Sequence, residues 1–306
     1  MPTNLQEFED DTGFERLILD RVTPLLPQSE ASSVLDLDAN SLRATPTVAM
    51  ASSDSTSGLP GADLKFDDVR PLFVGAAWKV LDLLIEFGLE QAGVAANQGK
   101  RFTFGFKVQR ARAGSVQPVA PFDRHPDLWL RLAHTYASTE ELRNSLVHRR
   151  YTVDQLTGDL QGSPREPGGA VPRSLSKDEQ TALCQAAIGA ADVVIRGDMP
   201  TRRVEQLRWV LDLLVSHHAQ PTLGSSSAHA LIPVLRLRLA PESSNELTLD
   251  AGGIRTSAQA AYADATYFDL EVLLPDGRVL AAPLEDVPNR PVTFSIDSLP
   301  GWIQWK

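Results

Sequence analysis

Apolar positions recur every three or four residues up to about residue 222 and alternate with polar ones beyond it, so the pattern predicts a helical region followed by a β region. The clearest helix is predicted over Asp67 to Gln91, where Val69, Leu72, Phe73, Ala76, Val80, Leu83, Leu84 and Phe87 share helical spacing and Gly93 offers a stop. A looser helix over residues 5–20, anchored by Leu5, Phe8, Phe14, Leu17 and Ile18, reads as an appendage. The Ser, Thr, Ala, Asp and Pro that fill Pro27 to about Gly61 read as a flexible linker. Phe102, Phe104, Phe106 and Val108 alternate with polar or small residues, the signature of a short strand or extended arm packed on the bundle. Helix resumes from Pro126 to Tyr136. Ser138-Thr139-Glu140-Glu141 reads as a capping box opening another helix near Thr139, and Ser176-Lys177-Asp178-Glu179 reads as a second, opening a helix to about Ile195. Between them lies a Gly/Pro-rich loop with a turn at Thr157-Gly158-Asp159, and a last helix is predicted from about Pro200 to His218.

From about Leu223 the period becomes two. Leu235 to Leu239 alternates Leu with Arg, Glu246 to Leu249 follows, Tyr267 to Leu274 is β-rich, Pro275-Asp276-Gly277 is a turn, and Val292 to Ile296 and Trp302 to Trp305 close the chain. The expected fold class is α+β and multidomain: residues 1–62 a helix and linker, 63–222 an all-α bundle, and 223–306 a small all-β, sandwich-like domain.

Composition narrows the setting. With 306 residues, 42% of them hydrophobic, the chain can bury genuine cores. The N-terminal stretch is acidic and lacks an apolar run, and Val80 to Leu89 is broken by Asp82 and Glu86, so no leader or membrane span is predicted. The single cysteine, Cys184, cannot form an internal disulfide or a cysteine-rich zinc site, which fits the cytoplasm. A net charge of −10 argues against non-specific coating of nucleic acid, so any RNA contact must be local. Arg149-Arg150 and the basic stretch Lys100 to Arg112 could supply one.

The chemistry concentrates in Arg143-Asn144-Ser145-Leu146-Val147-His148. A bare Arg and His four to six residues apart turn up about once by chance in such a chain, whereas the form with Asn after the Arg occurs on the order of one time in a hundred. On an ideal helix, positions five apart are separated by about 140° and roughly 7.5 Å along the axis, so Arg143 and His148 do not share a face, whereas Asn144 and His148 do. Either the Arg side chain wraps round or a second chain completes the site.

This Arg-Asn-x-x-x-His pattern, late in a helical segment and followed by a long amphipathic helix, resembles the Arg-polar-x-x-x-His motif of HEPN domains. The resemblance covers about residues 63–222. It implies a bundle of four or five helices that pairs as a homodimer, brings two motifs together and cleaves RNA without a metal; many members instead serve as binding or scaffold domains. Toxin–antitoxin or anti-phage defence roles are family-level expectations. A subset of the family has a nucleotide-accepting tyrosine two residues after the histidine; here that position is Arg150 and the tyrosine is Tyr151, which argues against nucleotidylation control.

Cleavage of RNA by its own 2′-hydroxyl needs a base, an acid for the leaving 5′-oxygen and positive charge near phosphorus. Histidine can be base or acid near neutrality, and arginine can fork onto phosphate. The catalytic expectation is therefore Arg143, Asn144 orienting the imidazole, and His148. RNA binding is expected from Arg149, Arg150, Tyr151, Lys107 and Arg110, and neither cofactor nor metal is expected. The plainer alternative for Arg143 and His148 is a surface arginine and a histidine favoured by the helix C-terminus. His217-His218 reads as a helix-end pair rather than a metal site, Gly93 to Lys100 lacks P-loop spacing, and Lys100 to Val108 lacks the context of an RNA-stacking strand. Two functions compete: an endoribonuclease whose β domain selects a protein partner or regulates access, and a non-catalytic dimerisation and protein-interaction module.

Overall fold

The computed structural model describes residues 2–22, 33–37, 44–48, 66–163, 173–224, 232–239, 245–263 and 265–306. Its elements in chain order are α1 (Leu5–Val22), β1 (Ser33–Leu37), β2 (Ala44–Val48), α2 (Phe66–Gln91), α3 (Phe104–Arg112), α4 (Pro126–Ser138) and α5 (Glu140–Val147). There follow β3 (Tyr151–Val153), β4 (Leu160–Gly162), α6 (Lys177–Arg196), α7 (Thr201–Leu213), α8 (Val215–His218), β5 (Val234–Arg238) and β6 (Glu246–Asp250). Last come α9 (Ala251–Ala261), β7 (Asp269–Leu273), β8 (Val279–Pro283), β9 (Pro291–Ser295) and β10 (Gln304–Trp305). The fold is mixed α+β. It divides into two compact units, Met1–Ser29 with Ala51–Gly224, and Glu30–Met50 with Ser225–Lys306. No helix among the described residues is long and apolar enough to cross a membrane.

The helical unit is organised around α2 and α6. α2 buries Val74, Ala77, Trp78, Leu81, Leu84 and Ile85 at intervals of three and four, which is the stripe an amphipathic helix turns toward a core. α6 is buried on most of its circumference, because Ala182, Ala186, Ala187, Ala190 and Ala191 let neighbouring helices approach closely. Its N-terminus carries the expected capping box: Ser176 accepts from Glu179 N–H at 3.2 Å, and Glu179 accepts from Ser176 N–H at 2.9 Å. The helix expected to run to His218 breaks at Leu214, leaving α8 as a single turn.

Three expectations for this unit are corrected. α1 is no appendage: Phe8, Thr12, Glu15 and Leu19 form its buried stripe, and Phe8 stacks on Phe87 with ring centroids 5.2 Å apart. Thr12 Oγ1 donates to Phe8 O, and Lys79 Nζ donates to Glu15 Oε1 at 2.6 Å. Phe14 and Leu17, read as anchors, are exposed. Residues 104–112 are helical rather than extended; Phe104, Lys107, Val108 and Ala111 form the inward stripe, and a buried lysine hides that period from a hydrophobic count. The Asn97 side chain holds the entry, accepting from Thr103 N–H at 2.8 Å and donating to Thr103 Oγ1 at 2.6 Å. The turn at Thr157-Gly158-Asp159 closes a β3–β4 hairpin where a loop was expected, with Gly158 at φ +75°.

The second unit is not all-β. Its six-stranded sheet has the order β10-β8-β7-β5-β1-β2, with β1, β5 and β7 mutually parallel as neighbours and the other pairs antiparallel. A parallel β5–β7 pair requires a crossover, and β6 with α9 lies in that connection. Asp250 caps α9 by accepting from Gly253 N–H. Ile254 and Ala258 from α9 join Leu235, Leu237, Leu270, Val272 and Leu280 in one core. β6 and β9 form a separate two-stranded sheet. The segment expected to be a linker supplies β1 and β2, so the chain enters this unit before it builds most of the helical one. The predicted turn at Pro275-Asp276-Gly277 is present and joins β7 to β8, with Gly277 at φ +87°, where a side chain would be strained.

Candidate functional site

The motif lies on the eight-residue α5 and the reversal that follows it. The expected capping box at its start does not form. Ser138 ends α4, its hydroxyl donating to Thr135 O, and Thr139 makes the break, its hydroxyl donating to Thr135 O at 2.8 Å and accepting from Trp78 Nε1 at 3.2 Å. At the other end His148 is the C-cap. Arg149 adopts the left-handed region at φ +54°, Arg149 N–H donates to Leu146 O, and Arg150 N–H donates to Ser145 O. These paired bonds form a Schellman closure with a non-glycine residue at the position that usually takes glycine. The chain then turns directly into β3, and Ser145 Oγ donates to Ser163 O just beyond β4, tying helix and hairpin together.

Arg143 is half-buried. Its guanidinium carbon lies 4.9 Å from the ring centroid of Trp78 and 5.2 Å from that of Phe104, and Nη1 donates to Asn144 Oδ1 at 3.1 Å. Among the described residues no carboxylate lies within ion-pair distance of it. Asn144 Oδ1 thus accepts from Arg143, and no hydrogen bond joins Asn144 to the imidazole it was expected to orient. The His148 side chain is exposed and has no hydrogen-bond partner among the described residues. Arg143 and His148 are close in sequence, but no hydrogen bond joins them.

Behind Arg143 is a bonded aromatic cluster. Trp78 stacks on Tyr136 at 4.8 Å and lies 5.2 Å from Phe104. Tyr136 donates its hydroxyl to Asp82 at 2.6 Å, and burial, reinforced by Asp82, raises that hydroxyl far above its ordinary pKa, so it stays a donor. Lys107 is only 4% exposed, with Nζ 2.7 Å from both Asp82 Oδ1 and Glu86 Oε1. The expected RNA-binding role of Lys107 is corrected accordingly: its ammonium is committed to two carboxylates inside the unit. Arg110 is exposed over the Phe106 ring at 5.0 Å, Arg149 is exposed, and Arg150 and Tyr151 are half-buried, Tyr151 against the core. Sequence reasoning missed Trp78 and Phe104, since nothing in a linear pattern links them to Arg143.

The histidine pair at α8 is internal. Burial lowers the pKa of His218 and favours its neutral form, with Nε2 donating to Leu211 O and Nδ1 accepting from Gln220 N–H. His217 Nε2 lies 3.3 Å from Glu179 Oε1. Burial raises the Glu179 carboxyl, but contacts from His217, Ser216 and Ser176 outweigh it and hold the group down at about 2. Burial pushes the Cys184 thiol up to about 12, a packed rather than reactive state. Among the described residues no group of three or more His, Cys, Asp or Glu could hold a metal ion. Comparison with protein-family models, with curated proteins and with solved structures found no match.

Proposed function

We propose that the helical unit is a HEPN-like, metal-independent endoribonuclease that acts as a homodimer, with Arg143 binding the scissile phosphate and His148 transferring protons. The observation that carries this reading is an arginine held by aromatic faces and an amide without a carboxylate, five positions before an exposed histidine at the end of the same helix. A guanidinium in that state can fork onto phosphate and stabilise the charge that builds on its oxygens. One imidazole takes the 2′-hydroxyl proton as the 2′-oxygen bonds to phosphorus. A second, protonated imidazole gives its proton to the leaving 5′-oxygen as the P–O5′ bond breaks. One His148 cannot hold both states at once, so the second comes from another copy across a two-fold interface. Arg149, Arg150, Tyr151 and Arg110 are the groups proposed to meet RNA, as local contacts on a chain of charge −10. The second unit is proposed to bind a protein partner or to regulate access, in a cytoplasmic toxin or defence role.

The experiment is incubation of the purified full chain with mixed single-stranded RNAs in EDTA, followed by end-group analysis and light scattering. Fragments ending in 2′,3′-cyclic phosphate and 5′-hydroxyl, produced by a dimer, are the expected result; intact RNA would reject the activity. A second reading, a non-catalytic dimerisation and protein-interaction module, is favoured by one observation: Asn144 Oδ1 accepts from Arg143, and no described residue hydrogen-bonds the His148 imidazole.

A further inference from the structure

Arginines at protein surfaces are commonly balanced by carboxylates, and balance consumes N–H donors. A guanidinium is planar, and all five of its N–H groups point outward in that plane. Aromatic contact uses its face and leaves its edge free, whereas an ion pair uses the edge. Arg143 meets rings rather than a carboxylate: two ring centroids lie near 5 Å from its guanidinium carbon and 5.2 Å from each other, so both are on one side of it, and one donor is spent on Asn144.

The two walls are themselves fixed from behind. Trp78 is pinned by its Nε1 bond to Thr139 at 3.2 Å and by stacking on Tyr136, whose hydroxyl is tied to Asp82. Phe104 stands one turn before Lys107 on α3, and Lys107 is clamped to Asp82 and Glu86 of α2. One acidic pair on α2 thereby anchors both walls, one through Tyr136 and the other through Lys107.

We propose that Trp78 and Phe104 are positioning residues that back the Arg143 guanidinium from one side and leave its remaining donors open to a phosphodiester of a nucleic-acid strand. This deepens the ribonuclease reading and rests on it for the identity of the anion. The walls touch no reacting atom. Their work is to restrict the rotamers of a long side chain, so that less freedom is lost when phosphate binds.

The test uses the full chain and two readouts. The first is the Arg143 Nε–Hε resonance, assigned by its loss in Arg143→Lys, which ring currents should displace from the solvent-arginine position. The second is affinity for a 2′-deoxy oligonucleotide, which offers the phosphates but cannot be cleaved. Trp78→Leu and Phe104→Leu should each return the resonance toward the solvent position and weaken binding about tenfold. Trp78→Phe, which restores a π face but lacks the Nε1 donor, should largely retain both. Wild-type affinity in the folded Leu variants, an undisplaced resonance in the wild type, or a wild type that does not bind the oligonucleotide would each overturn the proposal. If a Leu variant fails to fold, the wild-type resonance decides, since it must move when the oligonucleotide is added. Ring-dependent binding with no cleavage of RNA would leave the ring-backed phosphate site standing and reject the ribonuclease; cleavage unaffected by either folded Leu variant would do the reverse.

Discussion

Lys107 and Arg143 both adjoin the cluster of Trp78, Phe104 and Tyr136, Lys107 through Asp82 and Arg143 directly, and the helical unit treats the two cations oppositely. Lys107 is locked between Asp82 and Glu86, its charge more than balanced. Arg143 meets Trp78 and Phe104 instead and keeps most of its donors. The difference teaches that basic residue type does not identify an anion site; what matters is whether the surrounding structure has already spent the charge. The first cation organises the unit, and the second is available to a ligand.

Exchanging the two roles by mutation should break the comparison most visibly. Arg143→Ala should lower RNA cleavage by about 10² to 10³-fold, the scale of losing a charge-stabilising donor, while the thermal unfolding midpoint changes little. Lys107→Ala should do the opposite in kind, costing about 3 kcal/mol of stability by denaturant unfolding because it strands two mostly buried carboxylates. A Lys107→Ala protein of full stability would show that the clamp contributes nothing.

A smaller effect comes from acid. The Glu179 carboxyl sits at about 2 in the folded protein, below its ordinary 4.5. A depressed carboxylate contributes stability that is complete above its unfolded value and fades as pH falls through the folded one. The stability gap between wild type and Glu179→Gln should therefore be steady above about pH 5 and close between there and about pH 2. A gap unchanged over that window would contradict the contacts drawn from His217, Ser216 and Ser176.

The smallest contrast concerns two identical sequence signals. Ser176→Ala should cost about 1 kcal/mol because a real cap is lost, whereas Ser138→Ala should cost only a few tenths because its hydroxyl caps nothing at α5. Equal costs, measured by urea unfolding, would remove the distinction.

That pair also shows how much was legible. Helices α2, α4 and α6 were readable because apolar spacing in the first two and a capping box in the third are local to the sequence. The second cap formed because nothing competed for Ser176. The first did not, because α4 extends through Ser138 and Thr139 is tied to Trp78, a partner on another helix. β1 and β2 were missed because they are short and because β1, on which β2 pairs, joins β5 far downstream, so the information lies in the partner. α9 was hidden by Gly252 and Gly253 in its first turn, which lower helix propensity where the Asp250 cap restores it. Arg143, Asn144 and His148 were visible as a motif. The reassignment of Asn144 and the aromatic walls were not, since both depend on side-chain direction.

The central claim is that this motif cleaves RNA without a metal, and single-turnover cleavage by the full-length wild type and His148→Ala in EDTA tests it most directly. Cleavage by the wild type to 2′,3′-cyclic phosphate ends, reduced at least about a hundredfold in a folded, dimeric His148→Ala, is the predicted result. Equal cleavage by the two proteins, or none by either, would contradict it.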